Sequence, residues 1–169
     1  MKTRFLVSVV LLAIGLSISA KAAYAAKTPK PVSAKKWETL ADAALAAMKQ
    51  RAQELKMTGV AQVSYAEGDT VQGWRSRMAV VGRMTADPSG SDKGSNFLAI
   101  AYTKAGEMAD TKENSGGGKR PPLTGEFGWP GGAVARIPSG YLIVSFSGGK
   151  GEDDFKVSQA GLEVLKAGL

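Results

Sequence analysis

Apolar residues return at three- and four-residue intervals in three segments of this 169-residue chain and gather in short runs between them. The first helical stripe is Trp37, Leu40, Ala41, Ala44, Leu45, Met48, Ala52 and Leu55, with Lys49, Arg51 and Glu54 on the opposite side. Ser33 stands where a hydroxyl caps the first free N–H groups, and Gly59 is placed to end the helix as its C-terminal cap. Val60 to Tyr65 has the β-rich composition of a strand, Glu67-Gly68-Asp69 marks a turn, and Val71 to Met84 reads as one longer strand or two short ones. Thr85 to Gly94 is a loop by composition. Ser95 then caps a second helix from about Asn96 to Asp110, whose inner side is Phe97, Leu98, Ile100, Ala101, Ala105, Met108 and Ala109.

Thr111 to Pro122 forms another loop, with three consecutive glycines and the stiff basic run Lys119-Arg120-Pro121-Pro122. A hairpin follows, Ala133 to Ile137 and Tyr141 to Ser147 across Pro138-Ser139-Gly140; its weak alternation predicts that both faces are covered. Gly148, Gly149 and Gly151 turn the chain into a last helix carrying Phe155, Val157, Ala160, Leu162, Val164 and Leu165. Its acidic opening, Glu152-Asp153-Asp154, offsets the positive end of the helix dipole, or supplies a carboxylate to a site. Helix, strands, helix, hairpin, helix predicts one α+β domain around an antiparallel sheet.

The first 25 residues are a separate object. Lys2 and Arg4 precede a mostly apolar stretch from Phe5 to Ser19, and Ala23-Tyr24-Ala25 offers a small-residue cleavage site, the pattern of a secretory signal peptide. The stretch is shorter than the roughly 20 residues that span a bilayer, which argues against an anchor and against stable membrane insertion after cleavage. A periplasmic or secreted protein is expected, with cleavage after Ala25. Residues 26–32, containing Lys27, Pro29, Lys30 and Pro31, read as a flexible tether, and residues 33–169 as the domain.

Export changes the charge picture. Losing Lys2, Arg4 and Lys21 reduces 22 basic residues to 19 against 15 acidic ones, a mild excess that gives no support to nucleic-acid binding. Cysteine is absent, which removes disulfides and thiol chemistry. Histidine is absent as well, which excludes Ser-His-Asp triads, histidine-bound zinc or iron and histidine-ligated haem. The glycine triplet lacks the Lys-Ser/Thr ending of a phosphate loop, and the loop aspartates Asp87 and Asp92 lack EF-hand spacing. What remains is oxygen, thioether sulfur and lysine nitrogen. Arg75, Arg77 and Arg83 share one side of a regular strand, either as an anion-binding row or as a solvated face. Phe127 and Trp129 lie in a glycine-rich bend, as a pocket wall or as cover for a sheet edge.

From Gly131-Gly132 through the hairpin to Ser147-Gly148-Gly149 and the acid-opened helix, the chain resembles the GlcG/HbpS haem-binding-like family, and Lys104-Ala105 matches that family's Lys-Ala pair in the second helix. Val134 stands where the family usually has proline, and Glu107 where it has a small hydroxyl residue. The resemblance spans roughly Trp37 to Leu169. It implies a central antiparallel sheet of about five strands flanked by helices, assembly into homo-oligomers, and binding of haem or a related tetrapyrrole in haem handling or redox sensing. On that reading the tyrosines Tyr65, Tyr102 and Tyr141 and the methionines are candidate axial ligands, with Tyr102 and Met108 foremost. Lys104 and Arg83, with Arg75 and Arg77, would meet propionates, and Trp129, Gly131 and Gly132 would line the pocket; no catalytic or metal-site residue is assigned. The family's link to glycolate metabolism gives the alternative of an accessory protein or enzyme acting on a small hydroxy acid, with Glu107 or Glu126 as acid and base. An oligomeric scaffold is the third reading.

Overall fold

The computed structural model describes residues 29–169, so the expected signal peptide lies outside the described residues. Helix α1 (Ala34–Glu54) opens as expected, with the Ser33 hydroxyl accepting from the Lys36 N–H at 3.3 Å. Its end differs: Leu55 is the cap, and Gly59 already begins strand β1 (Gly59–Glu67). Gly59 is needed for a close crossing, because a Cβ there would come within 2.0 Å of the Ser147 carbonyl oxygen.

The chain continues through β2 (Gly73–Val81), β3 (Thr85–Ala86), β4 (Ser95–Asn96), α2 (Phe97–Thr111), β5 (Gly132–Ile137), β6 (Gly140–Ser147) and α3 (Gly151–Ala167). The main sheet is antiparallel with four strands in the order β2-β1-β6-β5, and β3 and β4 form a separate two-stranded piece. Part of the expected loop is therefore paired. Asn96 takes the capping role expected of Ser95, its Oδ1 accepting from the Ala99 N–H at 3.0 Å.

Helices α1 and α3 pack together on one face of the sheet and α2 covers the other, so β1 and β6 are buried on both sides. Their alternate residues divide accordingly. Val63, Tyr65, Leu142, Val144 and Phe146 join Trp37, Met48 and Leu165 in the larger core, while Ile143, Tyr141 and Ala66 meet Ala105 and Met108 beneath α2. This double cover explains the weak polar alternation of the hairpin.

The packing places the three strand arginines and the end of the leader segment. Arg75 donates to the Val32 carbonyl at 2.7 Å and Arg77 pairs with Glu38 and Asp42 of α1, whereas Gly82 turns the chain with φ 73° so that Arg83 lies exposed beyond the strand. The three arginines make no common anion-binding row. The tether is also docked at its end: Val32 is buried in the core, held there by the bond from Arg75.

Candidate ligand cleft

Both flanking helices bury charged side chains, Lys104 and Glu107 on α2 and Asp154 on α3. Lys104 falls on the buried side of α2 with Ile100, Ala101 and Met108, and Asp154 on the buried side of α3 with Val157, Ser158 and Leu162. The two meet across the end of β6. Lys104 Nζ donates at 2.8 Å to Asp154 Oδ2 and at 2.8 Å to the Phe146 carbonyl, and Asp154 Oδ1 accepts from the Gly149 N–H at 3.0 Å. Both side chains are nearly inaccessible, at 4% and 3%.

Burial pulls each group toward its neutral form, lowering Lys104 and raising Asp154, while their mutual attraction and the backbone N–H groups at Asp154 oppose it. A pair this dry costs several kcal/mol per ion to desolvate, of order the attraction it regains. Its value therefore lies in placing a donor and an acceptor, more than in stability.

The glycines foreseen as pocket residues have a definite task. A Cβ on Gly131, whose φ is 127°, would come within 2.5 Å of Lys104 Nζ and 2.7 Å of Asp154 Cβ; a Cβ on Gly132 would come within 2.4 Å of Met108 Cε. The strand entry can run between α2 and α3 only because side chains are missing there. Ser158 and Ser115 fix it, the first donating to the Gly131 carbonyl at 2.6 Å and the second accepting from the Gly132 N–H at 2.7 Å.

Beside the pair opens a cleft of about 200 Å³ lined by Ser95, Ile100, Lys104, Trp129, Pro130, Ser147, Gly149, Gly151 and Asp154. The Lys104 ammonium has three donors, of which two have protein partners, and Asp154 keeps acceptor capacity beyond its two bonds. The opening of α3 at Gly151, whose preceding residue Lys150 makes no side-chain cap, is part of the same wall. The arrangement can present a cationic donor and an anionic acceptor side by side to one small polar molecule. Trp129 forms the rim; its ring stacks on Phe127 at 4.5 Å, and about half of each is exposed.

Of the expected site residues, Lys104, Trp129, Gly131, Gly132 and Met108 are brought to this end of the molecule. Tyr102 and Arg83 are not among the cleft's lining residues. Tyr102 stands on the outer side of α2 with its hydroxyl 3.2 Å from Ser76 Oγ of β2, and Met108 is fully buried with its sulfur against Gly132. Glu107 accepts from the Gly116 N–H at 2.9 Å, and Glu126 is bound to Arg120, so the two glutamates form no acid–base pair. Asp154 is the site residue that dipole reasoning passed over. Its position three and four residues before Val157 and Ser158, on the inner stripe, is the signal that would have found it.

A tetrapyrrole does not fit this cleft. No tyrosine or methionine is among its lining residues, the Lys104 nitrogen is bound to Asp154, and the volume of about 200 Å³ is below the roughly 300–1,000 Å³ of ordinary ligand pockets.

No protein-family model matches the chain, and no curated protein matches it. Solved structures do share its fold. Klebsiella pneumoniae protein ORFY, a DUF336 (GlcG-like) protein, aligns with a TM-score of 0.53 at 16% identity over 83% of this chain and 97% of that one. PduOC, determined as a haem complex, aligns with a TM-score of 0.50 at 18% identity over 80% of this chain and 95% of that one. The α+β architecture is thus that of the DUF336 proteins.

Proposed function

We propose that this chain is an exported, non-catalytic binding protein of the GlcG-like kind whose ligand is a small 2-hydroxycarboxylate held in the cleft over Lys104 and Asp154. The observation that carries this reading is the buried pair itself, a donor and an acceptor 2.8 Å apart at the wall of a cleft too small for a macrocycle. The ligand carboxylate takes the remaining Lys104 donor and the backbone at the start of α3, and its hydroxyl donates to Asp154. Trp129 closes the outer side. Binding without turnover is favoured because Asp154 is already committed to Lys104 and Gly149, and Glu107 and Glu126 are engaged elsewhere.

Haem is a second reading, supported by the PduOC haem complex and by the exposed Phe127–Trp129 stack, a flat apolar surface outside the cleft. Titration of the protein with 2-hydroxy, 2-oxo and unsubstituted short carboxylates by calorimetry, and with haem by visible spectroscopy, separates the two. Saturable binding that is tightest for the 2-hydroxy acids supports the cleft reading. A saturating, stoichiometric haem spectrum lost in Trp129→Ala, with no carboxylate binding, transfers the assignment to haem.

A further inference from the structure

A second cavity lies at the other end of β6, and its chemistry differs. It has a volume of about 510 Å³ and is bounded by the chain entering α1 at Lys30–Ser33, by Lys36, by the end of β5 and the turn after it from Arg136 to Ser139, by Lys166 in the last turn of α3 and by Leu169 beyond it. From Ser139 here to Ser147 at the cleft, β6 runs roughly 25 Å at its usual rise per residue, so the two sites are distinct.

The walls divide into two kinds of surface. Val32, Ile137, Pro138 and Leu169 are apolar, while Lys30, Lys36, Arg136 and Lys166 place four cationic groups around them. Two of the four have partial partners at the surface, Arg136 with Asp69 at 2.8 Å and Lys166 with Glu163 at 3.1 Å. Such exposed pairs hold their charges only weakly. Lys30 and Lys36 have no carboxylate within 4.0 Å among the described residues, and residues 1–28 contain no acidic residue to supply one. The first turn of α1 adds to the same field, because it holds no acidic side chain to offset the positive end of the helix.

We infer that this cavity binds a free anionic amphiphile, a medium-chain fatty carboxylate in chemical class, with its head among Lys30, Lys36 and Arg136 and its tail on Val32, Ile137, Pro138 and Leu169. The volume falls within the range of ordinary ligand pockets, and the cationic excess selects an anionic head over a neutral one.

The test is calorimetric titration of the full chain with dodecanoate and with dodecanol, each below its aggregation limit, on the wild type and on Lys36→Glu, Arg136→Glu and Lys49→Glu. Lys36, Arg136 and Lys49 are all exposed, so the variants keep the fold, which their melting temperatures verify. The expected result is saturable one-to-one binding of dodecanoate, at least tenfold weaker binding of dodecanol, and at least tenfold loss in Lys36→Glu and Arg136→Glu but not in Lys49→Glu. Absent dodecanoate binding, equal binding of the alcohol, or full binding by the two cavity variants overturns the assignment.

Discussion

Lys104 and Asp154 lie 50 positions apart in the chain and 2.8 Å apart in the fold, each nearly sealed from solvent. Removing one partner leaves the other charged and buried alone. Lys104→Ala is therefore expected to lower the unfolding free energy by about 3–5 kcal/mol, whereas the apolar replacement Lys104→Met with Asp154→Leu recovers most of that loss. Urea denaturation of the two single variants and the pair measures this as a double-mutant cycle. Additive losses would contradict the coupling.

Gly131 passes over this pair at a backbone angle that L side chains rarely adopt, with no room for a methyl group. Gly131→Ala is expected to cost about 1–3 kcal/mol from the backbone alone, and more from the displaced Lys104 nitrogen. Gly125→Ala is the matched comparison, since it also has positive φ but nothing within 4 Å. Thermal melts of both variants should show the larger loss at Gly131.

Acid sensitivity has a separate source. The Arg120 guanidinium and the Leu123 N–H hold the Glu126 carboxylate at a pKa of about 2, below its ordinary value near 4.5. A lowered pKa stabilises the fold at pH values above the ordinary one, and the contribution is lost as pH falls from about 4.5 toward 2. Asp154 has the opposite sign: burial raises it, so acidification does not remove stability through that group in the same way. Glu126→Gln should therefore be less stable at neutral pH and show a flatter decline between pH 5 and pH 2, a window set by that shift, in denaturation series at each pH. A decline as steep as the wild type's would locate the acid sensitivity elsewhere.

Met108 tests the division between packing and ligation. Its side chain is fully buried against Gly132 and Ile143, so Met108→Ala should cost about 2–5 kcal/mol as a cavity, while Met108→Leu costs less than about 1.5 kcal/mol. Neither Met108→Leu nor Tyr102→Phe should alter carboxylate affinity. A change in haem spectra on Met108→Leu would show ligation where packing alone is expected.

The element order and most of the core were legible because apolar periodicity reports burial directly: Trp37, Met48, Phe97 and Val157 are all inside. Boundaries slipped where local signals competed, as with Ser95 and Asn96, two capping residues in succession that both pair in β4 while the second caps α2. The arginine row failed at Gly82, whose positive φ ends the strand's alternation before Arg83. Lys104, Gly131 and Gly132 came through a resemblance and Trp129 from its glycine-rich bend, but Asp154 was not singled out from its two acidic neighbours, because three consecutive acids at a helix start already had a sufficient local explanation. Only the tertiary fold shows that one of the three turns inward. The basic cavity was equally hidden, since Lys30, Lys36, Arg136 and Lys166 come from three distant segments.

The central claim is that the Lys104–Asp154 pair recognises a small 2-hydroxycarboxylate. Its most direct measurement is calorimetric titration of glycolate and lactate into the wild type and into the doubly substituted Lys104→Met, Asp154→Leu protein, once the latter is shown to melt cooperatively. Saturable binding by the wild type, weakened at least tenfold in the folded double variant, is the predicted result. Undiminished binding in that variant, or none in the wild type, contradicts it.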